Sequence, residues 1–109
     1  GKSGAEEIEA MMKKSRENPL TEIAGSKVTY FYDYSTLKGK DYAENETVTL
    51  DMPTTSNVLQ YFTEDNTKVS IRPSGTEPKI KFYMGVKGTS LQDAEEKLNK
   101  LTEDLKAVL

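Results

Sequence analysis

The fold of this chain is decided by residues 68–86, which read KVSIRPSGTEPKIKFYMGV. Before the loop, Val69 and Ile71 alternate with polar residues, and after it the apolar residues stand at every second position from 80 to 86. This period of two predicts two antiparallel strands, each with one buried face. Pro73 and Pro78 restrict the backbone at both ends of the intervening loop. The segment therefore predicts a β-hairpin with a stiff tip.

The tip of this hairpin carries the groups that hold a phosphate. Arg72 offers a planar fork of donors, and Ser74 and Thr76 each offer a hydroxyl donor. Gly75 has no Cβ, so the backbone N–H groups beside it can approach an anion closely. The alternative interpretation is an ordinary, well-capped turn, in which the arginine at the strand end is a solvated charge.

Positive charge is concentrated on the same hairpin. The whole chain has a formal net charge of −3, whereas residues 68–87 have a net charge of +4. The single acid of this stretch is Glu77, and the five bases are Lys68, Arg72, Lys79, Lys81 and Lys87. We expect Glu77 to turn away from a bound phosphate and to interact with the loop backbone or a nearby base. A short basic patch in an acidic chain argues against a general nucleic-acid-binding protein.

The composition limits the kinds of chemistry that this chain can perform. It has no cysteine and no histidine, which excludes disulfides, thiolate metal sites and the commonest general base. With 109 residues we expect one domain, residues 1–109, and the composition agrees with a domain cut from a larger soluble protein. No apolar run approaches the ~20 residues of a membrane span and no signal peptide is recognisable, so we expect a cytoplasmic protein that does not bind membranes.

The rest of the sequence predicts an α+β domain. Ser3 and Glu6 resemble a capping box, and Met11 and Met12 have the spacing of a core-facing helix that runs to about Glu17. A C-terminal helix, capped by Thr89 or Ser90, has an apolar stripe made of Leu91, Ala94, Leu98, Leu101, Leu105 and Val108. The predicted fold is an antiparallel sheet of four to five strands with both helices packed on one face.

Between the helices the strand predictions differ in strength. Residues 28–34 alternate as a half-buried strand, in which three tyrosines also suggest, as a weaker alternative, a stacking surface for a sugar or base. Residues 38–41 are expected to be a loop, residues 47–50 a short strand that could lie at an edge, and residues 57–62 a strand. Residues 64–67 are expected to form a hairpin turn into the strand that begins at Lys68.

Residues 72–83, RPSGTEPKIKFY, resemble the phosphate-binding loop and following strand in the C-terminal domain of the α-D-phosphohexomutases. The likeness extends through residues 56–62 and 86–91, and within the family it is greatest to bacterial phosphoglucomutase and phosphomannomutase. The resemblance implies a fold like that of the TATA-box-binding protein, with no DNA-binding role. It also implies an isomerase of carbohydrate metabolism that interconverts hexose 1-phosphate and hexose 6-phosphate by intramolecular phosphoryl transfer.

The resemblance also assigns roles to residues of the hairpin. It implies that Arg72, Ser74, Gly75 and Thr76 bind the phosphate that is not being transferred, with Lys79 counted among the phosphate-binding residues. No residue of this chain is expected to be catalytic or to bind a metal. The family's phosphoserine, Mg²⁺ ligands and sugar-reading loop belong to three other domains, which would be this domain's partners. The intermediate would be a hexose 1,6-bisphosphate.

Two other interpretations remain open at the level of sequence. The chain could be a stand-alone module that binds a phosphosugar without chemistry, or a structural domain whose basic tip contacts an acidic protein. If the chain is one domain of a mutase, this domain on its own is expected to be inactive. The identity of the sugar, the oligomeric state and the role of residues 35–52 do not follow from the sequence.

Overall fold

The computed structural model describes residues 3–86 and 90–108, with the backbone alone for residue 101 and residues 104–108. The predictions for Lys87, Thr89 and the side chains of Leu101, Leu105 and Val108 lie outside the described residues. Two helices and seven strands occur within this range, in the order α1 (Gly4–Glu17), β1 (Glu22–Ile23), β2 (Ser26–Asp33), β3 (Lys38–Asp41), β4 (Glu46–Thr49), β5 (Leu59–Thr63), β6 (Lys68–Pro73), β7 (Ile80–Gly85) and α2 (Leu91–Val108). Neither helix is long and apolar enough over these residues to cross a membrane.

The strands form one sheet in the order β4-β3-β2-β5-β6-β7, and β1 pairs with β2. Every pairing among the described strands is antiparallel. The α+β class, the antiparallel sheet and the two helices are therefore as predicted from the sequence. The strand total exceeds four to five because β1 and β3 add to the sheet. The short strand expected at 47–50 is the edge strand β4.

Strand β3 corrects the prediction of a loop at residues 38–41. These residues pair with β2 on one side and β4 on the other. Lysine, glycine and aspartate are poor strand formers, which is why the sequence suggested a loop. Gly39 lies against the neighbouring strand so closely that a Cβ added there would stand 2.7 Å from the carbonyl oxygen of Phe31. Position 39 therefore requires a residue without a Cβ because the neighbouring backbone is so close, and not because glycine favours a strand.

The core lies on one face of the sheet, and the strand register assigns residues to it. Phe31 pairs with Tyr61, which pairs with Val69, which pairs with Met84, so these four side chains form one row on the same face. In α1, Met12 is buried in the same cluster, as predicted for a core methionine. On α2, Thr102 Oγ1 lies 3.8 Å from Met84 Sδ. Both helices therefore cover the face that holds the core.

The other face of the sheet carries the tyrosines of β2. Tyr30 and Tyr32 contact the ring of Phe62 edge-on, with centroid distances of 6.3 and 5.4 Å. The Tyr34 hydroxyl donates to Gln60 Oε1 at 2.9 Å. Because the rings pack against one another, the arrangement agrees with the half-buried strand predicted for these residues.

Both helices are capped at their N-termini by a serine that the sequence predicted. Ser3 Oγ accepts from the backbone N–H of Glu6 at 3.2 Å, and Ser90 Oγ accepts from that of Asp93 at 3.1 Å.

Leu91 was expected in the apolar stripe of α2, but it is 77% exposed. It is the first residue of the helix. The stripe therefore begins at Ala94, which is half-buried.

The buried phenol of Tyr61 is expected to make the domain less stable at alkaline pH. Burial raises the pKa of Tyr61 to about 12, although its hydroxyl accepts a hydrogen bond from the Leu20 amide at 3.2 Å. A raised folded-state pKa gives stability that is complete below the unfolded value, about 10, and is lost as the pH rises toward 12. We expect the free energy of unfolding to fall by about 1 kcal/mol by about pH 11 through this group. Urea unfolding at several pH values measures the slope, and the contribution of Tyr61 disappears in Tyr61→Phe. Parallel pH profiles for the two proteins would contradict this assignment.

Candidate functional site

The loop at residues 74–79 joins β6 to β7 and is closed by its own backbone. The N–H of Ser74 donates to the carbonyl of Lys79 at 2.8 Å, and the N–H of Lys79 donates to the carbonyl of Glu77 at 2.8 Å. In the described part of the chain, the amides of Gly75, Thr76 and Glu77 have no hydrogen-bond partner. The loop is thus fixed in shape while three consecutive donors remain available, an arrangement that suits an anion.

Arg72 and Lys81 stand directly opposite each other across this hairpin. Arg72 shares a face of β6 with Ser70, so both cations lie on the sheet face away from the helices. Among the described residues, no carboxylate forms an ion pair with either of them. Two like charges at directly opposed positions destabilise a sheet unless an anion compensates them. Lys81 was not among the phosphate-binding residues named from the sequence, and its register places a second cation beside Arg72 on this face.

Lys79 and Glu77 form an ion pair with each other. Lys79 Nζ lies 3.0 Å from Glu77 Oε2, and both side chains are largely exposed. Glu77 thus interacts with a nearby base, as expected. The pairing also reduces the positive potential that Lys79 can give to the loop, so Lys81 is the less compensated of the two lysines.

A groove of about 960 Å³ lies between residues 73–78 and α1, whose first turn comes close to the loop at Pro78. Along α1 it is lined by residues that include Ile8, Met12 and Arg16, and on the other side by residues 73–78. Arg72 and Lys81 are not part of its lining. Since α1 covers the core face of the sheet, the groove and the two cations lie on opposite faces of the hairpin. Of the predicted site residues, the structure brings Ser74, Gly75 and Thr76 together at this boundary.

Arg16, Asp33 and Asn57 form a polar clasp that ties α1 to the sheet. Arg16 Nε donates to both carboxylate oxygens of Asp33 at 3.2 Å, and Arg16 Nη2 donates to Asn57 Oδ1 at 2.6 Å. The Asp33 carboxylate also accepts from the amide of Ser35 at 3.0 Å and from its hydroxyl at 2.7 Å. Asp33 is buried, so this carboxylate is satisfied entirely by partners within the fold.

The sequence analysis did not find this clasp. The only signal was a lone aspartate between two tyrosines in a strand otherwise rich in apolar groups. Arg16 is 17 positions from Asp33 and 41 positions from Asn57 along the chain, so no short spacing connects the three residues. Residue type alone therefore did not indicate which base would pair with Asp33.

The described residues contain no group of three or more acidic side chains placed to share a metal ion. The family resemblance would place its magnesium ion on another domain of the parent enzyme. What the loop offers is a guanidinium, two hydroxyls and free backbone amides, which are anion-binding groups. Such groups bind and orient a phosphate and do not transfer protons at neutral pH.

Comparison with known proteins agrees with these features. Residues 5–101 match the family described as "Phosphoglucomutase/phosphomannomutase, C-terminal domain". The phosphoglucomutase of Staphylococcus aureus strain MRSA252 is 37% identical over 101 residues, which are 93% of this chain and 18% of that protein. The phosphoglucomutase of Staphylococcus haemolyticus strain JCSC1435 is 38% identical over 86 residues, 79% of this chain and 15% of that protein. No solved structure gives a significant match. The chain spans about 18% of the length of the relatives it matches.

Proposed function

Because this chain belongs to the family of phosphoglucomutase and phosphomannomutase C-terminal domains, we propose that it binds the substrate phosphate of a mutase. The parent enzyme interconverts hexose 1-phosphate and hexose 6-phosphate by intramolecular phosphoryl transfer. The observation that carries this proposal is the hairpin tip, where Arg72 and the nearby amides of Gly75 and Thr76 have no partner among the residues that the structure describes. A cytoplasmic location is part of the proposal.

The phosphate site comprises Arg72, Ser74, Gly75 and Thr76, with Lys79 as a weaker contributor. Arg72 supplies a bidentate, charge-assisted contact, and the two hydroxyls add neutral hydrogen bonds. Lys81 joins the site because it stands opposite Arg72 and lacks a carboxylate partner in the described residues. Such a site contributes binding and orientation of the sugar, so that the reacting phosphate and hydroxyl meet in the catalytic part of the enzyme.

The remaining machinery of the reaction belongs to the rest of the parent enzyme. This chain makes up about 18% of the length of its relatives, which leaves room for the three further domains that the family resemblance implies. Magnesium and the hexose 1,6-bisphosphate intermediate are assigned to that machinery, since the donors described in this chain are anion-binding groups. The 109-residue chain alone is accordingly proposed to be inactive as a mutase.

An NMR titration of the 109-residue chain with glucose 6-phosphate tests this function. We expect weak binding, with a Kd of about 1 mM, because an exposed tip leaves the anion largely hydrated. The amides of Gly75 and Thr76 should show the largest shifts, since they are free to donate. Glucose, which has no phosphate, serves as the matched control and should leave these amides unchanged. If the largest shifts fell on residues 28–34, or if glucose acted equally well, the hairpin tip would not be the site.

A further inference from the structure

The first turn of α1 lies directly against residues 74–79, the loop of the proposed phosphate site, which is called the phosphate loop below. At Gly4, an added Cβ would lie 2.9 Å from Pro78 Cβ and 3.4 Å from Pro78 Cγ. Real Cβ atoms do not come so close to another carbon, so an alanine at this position would displace one of the two partners. Pro78 cannot relieve the contact by changing rotamer, because its ring is bonded to its own backbone nitrogen. The helix therefore touches the loop at a point that allows only glycine.

The rest of α1 holds this first turn in place. Met12 is buried in the core, and Arg16 is fixed by Asp33 and Asn57. A helical rise of 1.5 Å per residue separates Gly4 from Arg16 by about 18 Å. A helix of this length is stiff, so it cannot withdraw from Pro78 at one end while the clasp holds the other. Any strain at Gly4 would therefore pass into the loop.

A displacement of Pro78 would also move the backbone N–H donors of the loop. Pro78 directly precedes Lys79, whose carbonyl accepts from Ser74 and whose amide donates to Glu77. These two bonds define the curvature of residues 74–79 and hence the directions of the free amides of Gly75 and Thr76. Displacing a positioned donor by 1 Å can lower the rate of a reaction substantially, because its hydrogen bond requires both distance and alignment.

We propose that Gly4 is a positioning residue for the phosphate loop, because the absence of a Cβ lets α1 support Pro78 and so sets the geometry of the Gly75 and Thr76 amides. This inference rests on the proposed phosphate-binding function for its effect on affinity. Its structural part, the coupling between Gly4 and the loop, is independent of any ligand.

The test is Gly4→Ala in the 109-residue chain, with Gly85→Ala as the matched control. A Cβ at Gly85 would meet nothing within 4 Å, so that exchange adds the same methyl group without a contact. We expect Gly4→Ala to shift the Gly75 and Thr76 amide resonances without ligand and to weaken binding of inorganic phosphate by about fivefold. Its Tm should change little, because the cost of the displaced contact opposes the helix-forming advantage of alanine over glycine. Gly85→Ala should leave the affinity and the loop resonances unchanged.

A double-mutant cycle with Pro78→Gly separates a direct contact from a general effect on the helix. Removing the proline ring removes the atoms that an alanine at position 4 would meet. Pro78→Gly alone should weaken phosphate binding by loosening the loop, and adding Gly4→Ala should then cause no further loss. Equal effects of Gly4→Ala in both backgrounds, or unshifted loop amides in Gly4→Ala, would overturn the proposal. If the unaltered chain bound no phosphate, the proposed function would fail, while the ligand-free amide shifts in the same cycle would still decide the positioning role.

Discussion

In an enzyme that carries this domain, Arg72→Ala is expected to lower kcat/KM by about 30- to 1,000-fold, which corresponds to about 2–4 kcal/mol of transition-state binding. The physical reason is the loss of a bidentate, charge-assisted contact at a site whose arginine has no ion-pair partner among the described residues. Lys81, directly opposite, retains positive charge but cannot reproduce the planar fork. Steady-state kinetics of the purified full-length variant measure the effect.

Two further variants in the same enzyme make this prediction specific. Thr76→Ala should cost only about 1 kcal/mol, since water can replace a neutral hydroxyl. Lys79→Ala should cost less still, because this exposed lysine already pairs with Glu77. Lys100→Ala, an exposed position on α2, provides the control for general charge effects. If the Arg72→Ala enzyme had the same kinetics as the Lys100→Ala enzyme, the assignment of Arg72 to the phosphate site would be refuted.

Asp33→Ala is expected to lower the free energy of unfolding by about 2–3 kcal/mol. This buried carboxylate accepts from Arg16 and from both the amide and the hydroxyl of Ser35. Its removal leaves Arg16 without its anion at a position only 25% exposed and deprives the turn after β2 of its acceptor. Denaturant unfolding of the 109-residue chain measures the change.

Matched variants separate the charge of Asp33 from its shape. Asp33→Asn keeps an acceptor for Ser35 and loses the charge, so its cost should lie between those of the wild type and Asp33→Ala. Lys13→Ala removes a solvent-exposed pair with Glu17, whose nitrogen and oxygen are 3.9 Å apart, and should cost less than about 0.5 kcal/mol. An Asp33→Ala variant as stable as Lys13→Ala would mean that the clasp does not hold α1.

Local signals predicted those parts of the fold whose interactions are local. The N-cap of α1 and the hairpin from β6 to β7 both depend on residues within a few positions of one another, so the sequence contains the whole cause. Strand β3 is the opposite case. Gly39 and its neighbours have poor strand propensity, and only the pairing of β3 with β2 and β4 on both sides makes them a strand.

The sequence by itself determined the class of this protein and the chemistry of its tip, because the guanidinium, the hydroxyls, the glycine and the two prolines fall within seven consecutive residues, 72–78. Only the tertiary structure decided how that tip is supported. The clasp of Arg16 with Asp33 and the contact of Gly4 with Pro78 join residues that lie 17 and 74 positions apart. Such contacts depend on strand register and helix placement, which are set by burial of the common core and not by the local sequence.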